Sequence, residues 1–453
     1  RRLLRHPQIR KGGLFLIALF GGCQLKADPA LPVVKRVQAD SLAIQQVVYN
    51  DRVAPFNTLA RDFVQKIYGR PSFHRITPEQ VVSSWMLYPE EWNRTPIIRI
   101  KNQELRTALG LKEEYASLNH LFDGTQYKLQ PLWQREQGNR SKLAQAIQET
   151  DEKVGLILML RQGTLIRPLP PDVTPLSTQK VNAELWYNRI PFSKILFMVN
   201  LTLGFAAFGL FMFRMLTNRK EKAVSRRVWG TALCLTTLFH ATGYALRGYI
   251  RSGFPLSNGY ETMQFMALCA LFLACLFRRR FPFMVPFGFL LSGFALLVSY
   301  LGQMNPQITP LMPVLVSPWL STHVSLIMMS YALFAFMMLN GILALCLRRS
   351  ARMLMLLSRL LLYPAVFFLG AGIFLGAVWA NASWGRYWAW DPKEVWALIT
   401  FMVYGAAFHA RSLRIFRSPL FFHIYMVAAF LTVLMTYFGV NYILGGMHSY
   451  ANA

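Results

Sequence analysis

The sequence predicts an all-α polytopic membrane protein of about eight transmembrane helices with a mainly helical extracytoplasmic domain on its N-terminal side. The chain is 54% hydrophobic, more than the roughly 45–50% of ordinary soluble domains. Apolar runs of near-span length follow one another after residue 191. The formal charge of +27 comes largely from short loops between those runs, which indicates membrane topology rather than a nucleic-acid-binding face. We expect a membrane as partner and no nucleic acid.

The N-terminal residues 1–23 place a basic start before the apolar run GGLFLIALFGGC. This order is typical of a signal peptide or a short first span. Twelve apolar residues are marginal for crossing a bilayer. We therefore predict a signal-like or membrane segment and, because the chain begins with Arg1, a fragment or processed product.

Residues 24–191 have a polar, mixed composition that predicts a soluble extracytoplasmic domain. Phe56, Leu59, Phe63 and Ile67 recur at helical spacing and predict one amphipathic helix. A short strand is expected at Ile97–Ile100. The sequence does not indicate the role of this domain, and guidance of a substrate protein is our hypothesis for it.

Residues 192–453 form the predicted transmembrane domain. Its apolar runs give eight candidate spans by length, near 192–213, 228–246, 260–277, 282–301, 319–347, 353–379, 394–410 and 419–440. The first, third, fifth and seventh intervening loops hold fifteen Lys and Arg residues, whereas the other set holds only Arg247, Arg251, Arg386 and Lys393. The positive-inside rule then places the soluble domain, the loop before residue 394 and the C-terminus outside.

Five of the eleven tryptophans lie within residues 379–396, which we call the tryptophan loop: Trp379, Trp384, Trp388, Trp390 and Trp396. One interpretation is structural. Tryptophan is enriched at membrane interfaces, and Asp391, Pro392 and Glu394 have the spacing of a helix capping box. The density of rings exceeds what an anchor needs, so composition favours a flat aromatic platform that covers a large planar ligand.

If that ligand is a metallomacrocycle, histidines on the same side of the membrane are its expected axial ligands. His323, near the outer end of its span, and His448, in the outer tail, satisfy this condition. A histidine in a membrane helix is also often a packing residue. His409 sits at an inner span end and fits either an interface residue or a deeper site, while His240 fits a ligand or a hydrogen-bonded core residue.

Several stretches resemble the CcsA type of cytochrome c biogenesis protein. Residues 384–394, WGRYWAWDPKE, match the family's tryptophan-rich signature, and three further stretches agree: 254–261, FPLSNGYE; the His323 segment beginning at Trp319; and 446–450, GMHSY. The resemblance covers roughly residues 192–453. The order of a basic start, a short span and an outer domain before this part is similar to large fused CcsB-CcsA proteins, of which this would be the C-terminal part.

The resemblance implies a role in cytochrome c maturation in the bacterial inner membrane. It implies that haem b is bound as substrate at an external site made by Trp384, Trp388, Trp390 and Asp391, with His323 and His448 as the axial ligands of the iron. It further implies an inner-membrane haem site at His409, whose second ligand comes from a CcsB/ResB-like partner. Arg386 and Lys393 either pair with haem propionates or lie at the headgroup boundary.

The implied reaction is that of a holocytochrome c synthase, or haem lyase, which attaches haem through thioether bonds to the CxxCH sequence of apocytochrome c. No residue has the setting of a dedicated acid or base, so positioning is the expected contribution. Three alternatives remain open at this point. They are a haem carrier without synthase activity, a bis-histidine electron-transfer cytochrome, and an assembly scaffold in which the tryptophan loop is an anchor.

Overall fold

The computed structural model describes residues 31–124, 126–136, 141–217, 219–301, 304, 306–309, 318–410 and 412–444. The predicted segment 1–23 and the predicted ligand His448 lie outside these residues. The chain divides into two compact units, one of Arg1–Val47 with Pro55–Leu169, the other of Val48–Ala54 with Pro170–Ala453.

The polar part of the chain contains short helices and short strands. The helices are α1 (Arg36–Ala43), α2 (Phe56–Tyr68), α3 (Pro78–Leu87), α4 (Pro89–Arg94), α5 (Gln103–Ala108), α6 (Leu129–Glu136) and α7 (Lys142–Arg161). The strands are β1 (Gln46–Tyr49), β2 (Arg52–Pro55), β3 (Ile98–Arg99), β4 (Tyr115–Ala116), β5 (Phe122–Asp123), β6 (Gln126–Tyr127) and β7 (Arg167–Pro168). Strands β3 and β4 pair antiparallel with Ile98 opposite Ala116, and β5 and β6 with Phe122 opposite Tyr127.

The first unit has its own apolar core, and two local predictions for it are confirmed. The predicted amphipathic face of α2 is buried, and the strand expected at Ile97–Ile100 occurs as β3. Trp85 and Trp92 are fully buried and stack with ring centroids 5.8 Å apart. Each buried indole also donates a hydrogen bond, from Trp85 to the Asn93 side chain and from Trp92 to the Pro32 carbonyl.

Helices dominate the second unit. They are α8 (Thr178–Arg189), α9 (Phe192–Leu216), α10 (Ala223–Arg251), α11 (Gly259–Phe277), α12 (Met284–Leu301), α13 (Pro318–Cys346), α14 (Ala351–Trp384), α15 (Pro392–Ala406), α16 (Pro419–Leu434) and a π-helical continuation, Met435–Leu444. Each of the eight predicted apolar runs coincides with one of these helices.

Five helices of the described chain are long and apolar enough to cross a membrane: Phe192–Met215, Gly259–Phe277, Trp319–Cys346, Ala351–Trp384 and Pro419–Leu444. The fold class is thus confirmed, but the count of eight spans is not. Helix α15 has 15 residues and reaches only about 23 Å at 1.5 Å per residue, and α10 carries arginines at both ends. The chain is a mostly helical, polytopic membrane protein.

Helix α13 is central, and its apolar window is the most buried of the five. It packs against α14 and α16. Two polar side chains join it to α14: Ser330 donates to the Ala365 carbonyl at 2.8 Å, and Asn340 donates to the Leu354 carbonyl at 2.7 Å. Such interhelical hydrogen bonds fix the register of neighbouring membrane helices. They also set the position of His323 at the other end of α13.

Candidate functional site

A cavity of about 110 Å³ lies where α13 begins, with walls from α11, α13, α14, α15 and the π-helix. We call it the His323 cavity. Three residues singled out from the sequence line it: His323, Trp388 and Lys393. Most of its remaining lining is apolar, and Glu394 also borders it. An apolar pocket with a few converging polar groups is the usual form of a ligand site.

The imidazole of His323 is oriented by the neighbouring helix. Its Nδ1 lies 2.6 Å from the Gly372 carbonyl oxygen of α14. A carbonyl only accepts hydrogen bonds, so Nδ1 carries the proton and Nε2 carries the ring lone pair. Histidines that ligate metals are commonly oriented by this kind of hydrogen bond. The ring therefore has the tautomer that iron ligation through Nε2 requires.

A glycine makes room for that imidazole. A Cβ atom placed on Gly376 would lie 2.7 Å from both Cε1 and Nδ1 of His323. Gly372, one turn earlier, makes room for Ile327 of the same neighbouring helix, since a Cβ there would lie 2.7 Å from Ile327 Cδ1. The pair forms a G-x-x-x-G pattern, which lets membrane helices approach closely. The close approach of α13 to α14 thus depends on these two positions.

The tryptophan loop ends in the capping box expected from the sequence, and this prediction is confirmed. The Asp391 carboxylate accepts from the Lys393 backbone N–H, and Glu394 Oε2 accepts from the backbone N–H groups of Asp391 and Ala389. Pro392 is the first residue of α15. These bonds fix the segment that carries Trp388 into the cavity wall. Asp391 is buried and acts here through the backbone, outside the cavity lining.

The tryptophan rings do not lie in one plane. Trp379 and Trp384 pack edge to face with centroids 4.8 Å apart, and Trp388 and Trp390 do so at 6.1 Å. Edge-to-face packing is the arrangement that the ring quadrupole favours, and it replaces the flat platform expected from composition. Trp388 lines the cavity, whereas Trp384 lies outside its lining.

Trp390 has an unusual backbone and an exposed ring. Its φ is +57°, a left-handed conformation that is an outlier for a bulky residue. Its side chain is 75% exposed, so local packing explains little of the conformation. Backbone conformations of this kind cluster at functional sites, where the surrounding structure maintains them.

The two cations near the loop occupy different settings. Lys393 lines the His323 cavity, and its Nζ donates to Asn441 Oδ1 of the π-helix at 2.9 Å. Arg386 is exposed and lies outside the cavity lining. The structure thus separates two side chains that the sequence presented as equivalent.

Three other described histidines, His240, His409 and His423, lie outside the lining of this cavity. His409 is exposed in the short helix after α15, 18 positions after Asp391 in the sequence, which at the helical rise corresponds to roughly 25 Å. His240 is buried on α10. His423 is buried on α16, where its Nε2 lies 2.9 Å from the Ala351 carbonyl oxygen, a contact typical of a structural histidine. His448 lies outside the described residues.

A buried ion network near the C-terminal end of α10 was missed from the sequence. Arg247 and Glu261 are each 1% exposed and pair at 2.8 Å, and Arg251 adds a second contact to Glu261 at 2.7 Å. Arg247 also donates to the carbonyls of Pro306 and Gln307, at 2.7 and 2.9 Å. The network therefore holds the segment after α12 against the ends of α10 and α11.

The same network adjoins the His323 cavity. Thr262, the residue after Glu261, lines that cavity and hydrogen-bonds the Tyr437 hydroxyl at 2.8 Å. Tyr437 is itself part of the cavity wall. The sequence did contain a signal for this network. Glu261 of FPLSNGYE lies at the start of an apolar run, and a carboxylate there needs a cationic partner such as the nearby Arg247 or Arg251.

Comparison with known proteins places this geometry in a family. A family model described as "Cytochrome C assembly protein" matches residues 256–448. The cavity-lining residues of α11, α13, α14, α15 and the π-helix all fall within this match.

Individual relatives agree with the family match. The chain is 32% identical to Protein NrfI of Wolinella succinogenes in an alignment of 482 positions that covers 88% of this chain and 53% of that protein. It is 35% identical to the cytochrome c biogenesis protein CcsA of Chlamydomonas reinhardtii, over 52% of this chain and 70% of the relative. It is also 35% identical to CcsA of Guillardia theta, over 48% and 82% respectively. The chain spans about half the length of NrfI and most of the two CcsA proteins.

Proposed function

This chain belongs to the family of CcsA-type cytochrome c biogenesis proteins, and we propose that it binds haem b as substrate at the His323 cavity and promotes its covalent attachment to apocytochrome c. The observation that carries the proposal is the oriented imidazole of His323, held with Nε2 as its lone-pair nitrogen beside Trp388. We propose His448 as the second axial ligand.

The cavity formed by the described residues is large enough for only part of a haem. A cavity of 110 Å³ is below the roughly 300 Å³ at which enclosed ligand pockets usually begin. The macrocycle would therefore lie across the mouth of the cavity, against Trp388 and the exposed Trp390. Lys393, at the cavity wall, is the proposed partner of a propionate, while Arg386 lies at the headgroup boundary.

The proposed reaction is an addition, and it needs no oxidant. Each cysteine S–H of the CxxCH sequence adds across a haem vinyl group, so a C–S bond forms and the proton ends on the neighbouring carbon. The chain contributes positioning: histidine ligands fix the iron and the tryptophan loop fixes the ring, with the vinyl edge toward the thiols. Holding both reactants in one geometry supplies a large part of such a rate enhancement.

We further propose that the His323 end of the bundle faces the outside of a bacterial inner membrane. The distribution of fifteen basic residues against four between alternate loops supports this orientation. His409, at the opposite end of α15, is the proposed ligand of an inner-membrane haem site. A CcsB/ResB-like protein is the proposed source of its second ligand, and the polar N-terminal region is proposed to guide apocytochrome c.

The test is attachment of haem to a CxxCH reporter in cells that lack their own maturation system. The chain is co-expressed with and without a ResB-type partner, and a haem stain that survives denaturation is read. We expect covalent haem with the wild type and its loss in His323→Ala and His448→Ala, but not in His74→Ala, a histidine of the polar region. Haem that co-purifies and never becomes covalent would indicate a carrier instead. Permanently bound haem unaffected by the reporter would indicate an electron-transfer cytochrome.

Trp390→Gly separates a ligand contact from a structural role. Glycine tolerates a positive φ and relieves backbone strain, while the lost edge-to-face contact costs about 0.5–1.5 kcal/mol. These effects oppose each other, so we expect the thermal unfolding midpoint to change little while co-purified haem falls severalfold. The control is Phe374→Gly, an exposed aromatic residue of α14 without positive φ and outside the cavity lining, which should lower stability at least as much. Unchanged haem in Trp390→Gly would exclude a role of this ring in binding.

A further inference from the structure

A second cavity, of about 390 Å³, lies at the end of the helices opposite to His323, among α9, α10, α11 and α12. We call it the basic cavity. Its lining contains six cationic side chains and one carboxylate: Arg214, Arg219, Lys220, Arg226, Arg278 and Arg279, with Glu221. This excess of positive charge is large for a cavity of this size, and it favours an anionic ligand.

The carboxylate is already paired. Glu221 contacts Arg214 at 3.0 Å and Arg226 at 3.7 Å. Arg214 is further held by the Ser225 hydroxyl, 2.6 Å from its Nη2. Within the described part of the chain, neither Arg278 nor Arg279 has a carboxylate within ion-pair distance. The charge of these two arginines is therefore available to a bound anion.

Arg278 is seated by a glycine. A Cβ atom on Gly230 would overlap Arg278 Nη1, so the guanidinium rests directly on the backbone of α10. Arg278 itself is half-buried, unlike the exposed Arg279. A guanidinium in a fixed position presents its planar fork to phosphate oxygens with little further loss of entropy.

The remaining walls of the basic cavity are apolar. Phe211, Trp229 and Pro282 line it, and Phe205, Val228 and Leu276 expose large apolar side chains on the same helices. A ligand that uses both features has an anionic head and a long apolar tail. Because two helices of the cavity, α9 and α11, are apolar and of membrane-spanning length, an acyl chain can lie along their apolar surface.

We infer that the basic cavity binds the phosphate headgroup of an anionic phospholipid. Basic pockets between transmembrane helices are known sites for such headgroups. Haem is also an anionic amphiphile, but a methionine ligates haem iron together with a histidine, and the described lining of this cavity contains Met215 without a histidine or cysteine. The site would make the packing of α9–α12 depend on the lipid composition of the membrane.

The experiment uses the full chain in nanodiscs of phosphatidylcholine, with or without phosphatidylglycerol. We expect phosphatidylglycerol to raise the thermal unfolding midpoint and to remain bound in native mass spectra. Arg278→Gln with Arg279→Gln should weaken that binding about tenfold or more, given the attraction contributed by each basic residue. The control, Arg348→Gln with Arg349→Gln, removes the same charge from another loop at the same end and should leave binding intact.

Gly230→Ala tests the geometry without changing charge. Its methyl group displaces the Arg278 guanidinium, so we expect a similar loss of phosphatidylglycerol and no change in net charge. Equal losses in the two double variants would mean diffuse surface attraction and would overturn the site. Inorganic phosphate that stabilises the phosphatidylcholine sample as strongly as phosphatidylglycerol would overturn the lipid assignment, as would haem that displaces the lipid. If Gly230→Ala still binds phosphatidylglycerol as the wild type does, the position of Arg278 against Gly230 does not matter for lipid binding.

Discussion

Replacing Gly376 with alanine is expected to remove haem from the His323 cavity while leaving the helices folded. The new methyl group would overlap the imidazole at 2.7 Å, and the ring, as the end of a side chain, would move. Its 2.6 Å hydrogen bond to the Gly372 carbonyl would then lengthen or break, and Nε2 would point elsewhere. Overpacking of this size typically costs about 1–3 kcal/mol, whereas loss of ligand geometry should lower haem retention by at least about tenfold.

The matched control is Gly370→Ala on the same helix. A Cβ there would lie 2.9 Å from Phe401 Cε2, so the overlap is similar but no imidazole is involved. We expect similar losses of stability in the two variants and loss of haem in Gly376→Ala alone, read from co-purified haem and its absorption spectrum. Equal loss in both would mean that haem depends on helix packing in general. Full retention in Gly376→Ala would show that this contact does not set the ligand.

The apolar periodicity was sufficient for the fold class because membrane helices must satisfy their backbone internally, which leaves few alternatives. The capping box of Asp391 and Glu394 was also predictable, since it is encoded by residues three apart. The number of spans was less accessible. Helix α15 is short and α10 is charged at its ends, so length and hydropathy alone do not decide whether they cross.

The geometry of the site was predictable only in part. The sequence singled out His323, Trp388 and Lys393, and the structure brings these three to one cavity. The sequence could not show that the tryptophan rings pack edge to face. The spacing of two tryptophans along the chain does not determine the angle between their rings. Nor did the sequence point to Gly376 or to Tyr437, whose importance comes from helices that are distant in the sequence.

Glu261→Gln is expected to be among the most destabilising single changes in the transmembrane part. The side chain keeps its size, but Arg247 and Arg251 lose the charge they both contact. Breaking a buried ion pair by removing one partner typically costs about 3–5 kcal/mol, since the remaining charge stays buried without compensation. The measurement is the thermal unfolding midpoint of the purified chain, together with haem retention, because Thr262 carries the disturbance to the cavity wall through Tyr437.

Glu114→Gln provides the control for that change in the same chain. Its carboxylate pairs with Arg99 at 2.8 Å, the same distance as the Arg247–Glu261 pair, but the two side chains are 31% and 38% exposed. A solvent-exposed pair contributes at most about 1 kcal/mol, so burial is the main difference between the two experiments. The double variant Arg247→Met with Glu261→Gln should cost less than the sum of its single changes, because residues in one network are not additive. If Glu261→Gln and Glu114→Gln cost the same, the network does not hold the C-terminal end of α10 against the N-terminal end of α11, and its link to the His323 cavity fails with it.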